Sequence, residues 1–257
     1  MGVFAHLFGR LPAAIAPLPA SALGPALVRV ERAGLRYGEL RALENVGFDL
    51  RPGELVFLVG PTGAGKTSLL KLLSGVLPPT TGEVWVDGSP LHKPGRRRAR
   101  ALRRRIGIVP QDDLLVPKRT ALENVALALE LADLRLPRAE ARSRAERQLK
   151  AAGLSRRAGA YPAELSAGER RRLAVARAVV RGPKLVLADE PTGHLDPDRS
   201  ADVVELLARA AAEGATVLVA THTRDLARGL RARILEIRRG RLVGDQEQRA
   251  RRLWLLP

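Results

Sequence analysis

Three groups of residues in this chain have types and spacing suited to chemistry on a phosphate. The first is Gly60-Pro61-Thr62-Gly63-Ala64-Gly65-Lys66-Thr67, followed by Ser68, which fits the pattern G-x-x-x-x-G-K-[ST] without a mismatch. Glycines let successive backbone N–H groups curl around phosphate oxygens, and a helix starting at the loop's end adds its positive dipole. Lys66 would then reach the β- and γ-phosphates while the Thr67 hydroxyl ligates Mg²⁺. The second group is Asp189-Glu190, at the end of an apolar run. Asp189 suits Mg²⁺ opposite Thr67, and Glu190 is placed to orient or polarise an attacking water. The third is His222, where an imidazole following another apolar run would contact the γ-phosphate. Adjacent acids are common turn material and a lone histidine is usually structural. With a complete phosphate loop upstream, they point instead to binding and cleavage of a nucleoside triphosphate.

The elements that must position these groups are legible as short apolar runs. Residues 55–59 are unbroken apolar, as a strand buried on both faces requires, and Ser68, Leu69, Leu70, Leu72 and Leu73 suit a helix. Residues 184–188, 216–220 and 106–109 read as further strands, the last followed by Gln111-Asp112-Asp113. Residues 120–131 and 138–152 look helical, the second charged enough to be largely solvated. Residues 164–169 open a helix with apolar Leu173, Ala176 and Val180 and a basic face of Arg170, Arg171, Arg172 and Arg177. Ahead of the phosphate loop, strands are expected at 27–30 and 42–50, separated by Tyr37-Gly38. Residues 82–88 read as a strand ending in a turn, and 234–243 as a hairpin through Arg239-Gly240. Tyr37 has two readings from spacing alone: a ring that stacks on a purine base, or a half-buried strand tyrosine.

Composition bounds the partners. The chain has 257 residues, 46% of them apolar, enough for one large domain or a domain with a subdomain. Its net charge of +17 suits an anionic partner, and the arginine usage of a GC-rich or thermophilic genome would give the same excess with no partner at all. The absence of cysteine excludes disulfides and thiolate metal sites. Residues 1–26 are Ala- and Pro-rich, with prolines at 12, 17, 19 and 25 that break any helix; a mobile leader, or a start codon assigned too early, is the expectation. A basic cluster runs from Lys93 to Arg105. It reads either as a solvated charge run or as a lipid-facing surface, at about 1 kcal/mol per basic side chain near anionic lipid. The tail, 246–257, joins basic residues to Leu253, Trp254, Leu255 and Leu256, a surface anchor or a frayed end.

Taken in order, these residues resemble the ATP-binding cassette (ABC) ATPases over about residues 27–245. The resemblance implies a P-loop NTPase (RecA-like) α/β core with an antiparallel β subdomain and an α-helical subdomain at about 112–165. It also implies roles. Gln111 is the Q-loop glutamine, close to Mg²⁺ and water; 165–169 is the signature; Glu190 is the catalytic carboxylate. Asp196 is the D-loop aspartate, His222 the switch histidine, and Tyr37 the adenine-stacking aromatic. The family's active form is a dimer in which Ser166 and Gly168 of one subunit bind the γ-phosphate of ATP held by the other. Two departures stand out. The signature, usually LSGGQ, carries Ala167 and Glu169, and Thr223 follows His222 where the family usually has Asp. Neither removes a catalytic group, so an active ATPase is expected.

Within the family, stretches 54–66, 102–112, 121–127 and 188–196 resemble the FtsE subfamily of cell-division ATPases, which dimerise beneath the membrane protein FtsX. That resemblance implies a homodimer on ATP binding, an integral membrane partner and a place at the cytoplasmic face of a bacterial membrane. LolD- and MacB-type transport ATPases share some of these stretches and are the alternative. A nucleic-acid-associated ABC ATPase is disfavoured, because the chain has one cassette, no cysteines and no long insertion.

Overall fold

The strand-forming residues separate into two sheets, and the register of the larger one decides where every loop emerges. A computed structural model describes residues 25–91, 102, 104–230 and 232–246. Nearly all of the expected leader, most of the basic cluster and the 247–257 part of the tail lie outside the described residues.

The smaller sheet is antiparallel, with strand order β2-β1-β4-β5. It comprises β1 (Val28–Tyr37), β2 (Leu40–Leu50), β4 (Thr81–Val86) and the short β5 (Ser89–Pro90). The sequence places β1 at 27–30, but the strand continues to Tyr37. Arg32, at φ 47°, puts an irregularity into the β1–β2 register between Val30 and Ala33. That slip breaks the alternation of apolar and polar residues by which a strand is read.

The larger sheet has strand order β10-β9-β3-β8-β7-β6. Its parallel members are β3 (Leu55–Val59), β6 (Ile106–Val109), β7 (Leu185–Asp189), β8 (Thr216–Thr221) and β9 (Arg233–Arg238). β10 (Arg241–Gln246) folds back antiparallel on β9. The central strands carry apolar residues on both faces. Phe57, Val59, Val186, Ala188, Val217 and Val219 face one core; Val56, Leu58, Leu187, Leu218 and Ala220 face the other. The second core is closed by Leu69, Leu72 and Leu73 of α1 (Lys66–Leu73) and by the inner face of the antiparallel sheet. The first is covered by α2 (Ala121–Ala132), α3 (Arg138–Ala151), α4 (Ala167–Val179) and α5 (Pro197–Ala212). As its charge suggests, α3 buries little beyond Ala141, Ala145 and Leu149. A short α6 (Arg224–Gly229) follows β8.

The pairing Val59↔Thr221 and Asp189↔Ala220 aligns the C-terminal ends of β3, β7 and β8. Gly60, Glu190 and His222 therefore leave the sheet at one edge, where open α/β sheets place their ligands. Among the described residues, no helix is long and apolar enough to cross a membrane.

A fully buried amide ties the helical layer to the loop that precedes it. Asn124 on α2 donates to the carbonyls of Val116, Arg119 and Thr120 and accepts from the Val116 N–H at 2.8 Å. Thr120 completes the start of α2 in a capping box with Glu123. Truncation by Asn124→Ala would orphan several buried backbone groups. Denaturant unfolding should show a loss of about 3 kcal/mol.

Candidate active site

The phosphate loop is built on the end of β3. Gly65 has φ 105°, and a Cβ there would lie 2.7 Å from the Ala42 carbonyl, so only glycine fits. The β9–β10 turn braces the loop from behind, with Gly240 N–H donating to the Ala64 carbonyl at 2.9 Å. Lys66 starts α1 and is buried. Its Nζ donates to the carbonyls of Gly60 (2.8 Å) and Pro61 (3.2 Å) and lies 3.4 Å from Glu190 Oε1. The ammonium thus sits inside its own loop, paired with the carboxylate that follows β7, two strands away in the sheet.

A cleft of about 810 Å³ opens over this loop. Of the residues singled out in the sequence, Tyr37, Thr62, Gly63, Gly65, Lys66, Thr67, Ser68, Gln111, Asp189, Glu190 and His222 line it. Gly60, Pro61 and Ala64 belong to the same loop without lining the cleft. Tyr37 ends β1 at the rim, 41% exposed, with its hydroxyl 3.5 Å from Ser68 Oγ.

Asp189 is the last residue of β7 and is buried. Burial pushes its pKa up, a hydrogen bond from the Thr67 hydroxyl pulls it down, and the neighbouring Glu190 charge raises it again. Its Oδ1 has no hydrogen-bond partner among the described residues. An orphaned buried carboxylate oxygen beside a threonine hydroxyl at a phosphate loop is the donor set a hard divalent cation takes. Glu190 follows in the left-handed region at φ 43°, its N–H donating to the Ala220 carbonyl at 2.8 Å. This turn aims its carboxylate across the cleft mouth, where Oε1 meets Lys66 and Oε2 lies 3.0 Å from His222 Nδ1.

Ser166, Gly168 and Asp196 do not line the cleft. Ser166 caps α4, accepting from the Glu169 N–H, while the Glu169 carboxylate accepts from the Ser166 N–H at 2.8 Å. Arg157 Nε also donates to Glu169 at 3.0 Å, and the Glu169 pKa falls to about 2, chiefly through the Ser166 backbone hydrogen bond. The glutamate in the signature thus serves as a helix cap. Gly168 is buried beneath the Arg199 side chain, which a Cβ would meet at 2.8 Å. Asp196 caps α5 by accepting from the Arg199 N–H. In this single chain these three residues lie apart from the phosphate loop.

Sequence reasoning missed other residues of the cleft wall: Leu40, Arg41, Ala42, Arg171, Gly193, His194, Arg239 and Gly240. Their contributions depend on turns and helix packing that no local pattern records. The arginines of α4 are a related case, because the helix does not present them uniformly to solvent. Arg171 is buried and Arg177 is desolvated enough to lower its pKa, opposed by Asp113. Both donate to main-chain carbonyls of the segment after β6.

The profile of the family described as "ABC transporter" matches residues 43–193, which span the phosphate loop, the signature and the Asp189-Glu190 pair. The chain is an ABC ATPase. The cell division ATP-binding protein FtsE of Streptococcus pneumoniae serotype 2 (strain D39 / NCTC 7466) is 40% identical over 207 residues, covering 80% of this chain and 89% of that protein. The phosphonates import ATP-binding protein PhnC of Anaeromyxobacter dehalogenans (strain 2CP-C) is 43% identical over 231 residues, covering 87% of this chain but 46% of PhnC. Among solved structures, the ATP-binding cassette MJ0796, in a dimeric post-hydrolysis state bound to ADP and Pi, superposes with a TM-score of 0.79. It is 34% identical and covers 87% of this chain and all of that one.

The capping role of Glu169 has a pH signature. Its folded pKa, about 2, lies below the ordinary value of 4.5, so its stabilising contribution is complete above about pH 4.5 and lost as pH falls toward 2. Between those limits, acid unfolding of the wild type should be steeper than that of Glu169→Gln, and the two stability curves should converge near pH 2.

Proposed function

We propose that this ATPase is the nucleotide-hydrolysing subunit of an FtsEX-like complex, dimerising on ATP and driving a membrane partner that regulates cell-wall remodelling in division. The observation that carries this reading is the likeness to FtsE along 89% of that protein's length. The stretches that resemble FtsE include 121–127, which lies outside the shared catalytic motifs. In this reading residues 27–245 form the ATPase domain, about 112–165 its helical part, and 1–26 and 246–257 its flanks. It places the protein peripherally at the cytoplasmic face of the membrane. Identity to PhnC, a phosphonate importer's ATPase, supports a second reading as the ATPase subunit of a transporter, of which a LolD/MacB-type release or export system is the version nearest the sequence. A nucleic-acid role has no comparable support.

The chemistry is assigned residue by residue. The loop from Gly60 to Ser68 holds the phosphates through backbone N–H groups, and Lys66 exchanges its carbonyl partners for phosphate oxygens. Thr67, Asp189 and Gln111 are the residues that would hold Mg²⁺. Bound there, the ion would neutralise charge on the β- and γ-phosphates. Glu190 accepts a proton from the water that attacks the γ-phosphorus, as the bond to the β–γ bridging oxygen breaks and ADP leaves. His222, hydrogen-bonded to Glu190, orients that carboxylate and faces the γ-phosphate. Tyr37 stacks on the base. Ser166 and Gly168 act on the nucleotide of a second copy, with Asp196 beside them. That division is supported by their distance from the cleft of their own chain and by the dimeric state of MJ0796.

Two variants test the chemistry. Glu190→Gln should retain ATP binding, lose turnover by roughly 10²-fold or more and accumulate ATP-bound dimers on size exclusion; wild-type turnover would remove Glu190 from its role. Asp189 has a raised pKa, so folding penalises its ionised form at neutral pH, and that penalty vanishes below the unfolded value of about 3.9. Asp189→Asn should therefore raise the melting temperature of the ligand-free protein at neutral pH. The same change should abolish the further rise that Mg²⁺ adds in the presence of ATP. For the biological role, crosslinking in native membranes should capture an FtsX-like protein; capture of a transport permease would favour the second reading and leave the site chemistry standing.

A further inference from the structure

We propose that Arg171 is a positioning residue for turnover: its guanidinium clamps the main chain that carries Gln111 and so fixes where that side chain enters the cleft. The proposal rests on the reading of Gln111 as a nucleotide-facing residue.

Strand β6 ends at Val109, and from there the main chain has no further ladder to satisfy its carbonyls. Arg171, on the second turn of α4, fills that need. Its Nη1 donates to the Pro110 carbonyl at 2.8 Å and its Nη2 to the Gln111 carbonyl at 2.6 Å. The planar fork of a guanidinium matches two consecutive carbonyls in a way that a single ammonium does not. Its side chain is 9% exposed, so the charge is desolvated, and the Asp113 carboxylate 3.3 Å away offsets it. Among the described residues that carboxylate oxygen makes no hydrogen bond, and it contributes through charge. With both carbonyls pinned, the peptide between Pro110 and Gln111 is fixed, and with it the direction in which Gln111 leaves the backbone.

The same loop is held separately further along. Arg177 donates to the carbonyls of Asp113 (2.9 Å) and Leu114 (2.7 Å). Arg171 therefore governs the part bearing Gln111, and Arg177 governs the exit. Both guanidiniums are mounted on the helix that Ser166 caps. A shift of α4 relative to the sheet would be passed to Gln111 through the Arg171 fork.

The test measures turnover, ATP affinity, the Mg²⁺ concentration for half-maximal turnover and the melting temperature of Arg171→Lys and Arg171→Gln, each alone and combined with Gln111→Ala. Both single variants should lose about tenfold in kcat with ATP affinity within about twofold, and should need more Mg²⁺. In the Gln111→Ala background the further loss should be under about twofold, because the clamp then has nothing to aim. Arg171→Lys keeps the charge beside Asp113, so it guards against a variant that fails to fold. Full rescue by lysine would reduce the role to charge balance and overturn the proposal. So would unchanged kcat in Arg171→Gln, a fully multiplicative loss on top of Gln111→Ala, or a joint collapse of ATP affinity and melting temperature. Wild-type turnover and Mg²⁺ dependence in Gln111→Ala alone would overturn the reading of Gln111, and the clamp with it, while leaving Glu190 to its own variant.

Discussion

The parallel ladder through β3, β8 and β7 is the constraint on which the site depends. A parallel register with Val59 beside Thr221 and Ala220 beside Asp189 brings three loops, distant in sequence, out of one sheet edge within a few ångströms. Had any of these strands slipped by one residue, its core side chains would exchange faces, because successive side chains alternate. The cost would be large, since Phe57, Val186 and Val217 fill one core while Leu58, Leu187 and Leu218 fill the other. The apolar packing that holds the register therefore also holds the chemistry in place.

Charge burial marks where that scaffold becomes a site. Lys66 and Asp189 are both buried, and Asp189 keeps an oxygen without a partner among the described residues. Buried ionised groups are destabilising unless paired, so a fold retains them where a ligand completes the set. Glu190 shows the same tension in its backbone, with a left-handed φ that places its carboxylate between Lys66 and His222. Lys66 is engaged by two loop carbonyls and by Glu190. The cation assigned to the phosphates thus also meets the residue assigned to activate water.

Helix α4 joins the two ends of this arrangement. At its N-terminus Ser166 and Glu169 cap each other. On its second turn Arg171, and about three turns from the cap Arg177, reach the segment after β6. One rigid element thus spans the signature and the Gln111 loop, so a force applied at either would move the other. In the proposed reading, where hydrolysis drives a membrane partner, such rigidity is the mechanical requirement.

Much of the phosphate chemistry was determined by the sequence itself. The loop from Gly60 to Thr67, the acids ending β7 and the histidine ending β8 are local patterns: a strand, a turn and the residues at its tip. Most strands and helices were legible for the same reason, as apolar runs with a period of their own. Tertiary structure decided the rest. The length of β1 was hidden by the irregularity near Arg32, which breaks the alternation. The basic face read on α4 contains a buried arginine, because burial is set by what packs against a helix and not by the charge of its residues. Arg239 and Gly240 reach the cleft only because β9 lies next to β3 in the sheet, some 180 residues apart in sequence. Ser166 and Gly168 do not line the cleft of their own chain, because the packing of α4 against the core, which no local spacing records, sets where its N-terminus lies.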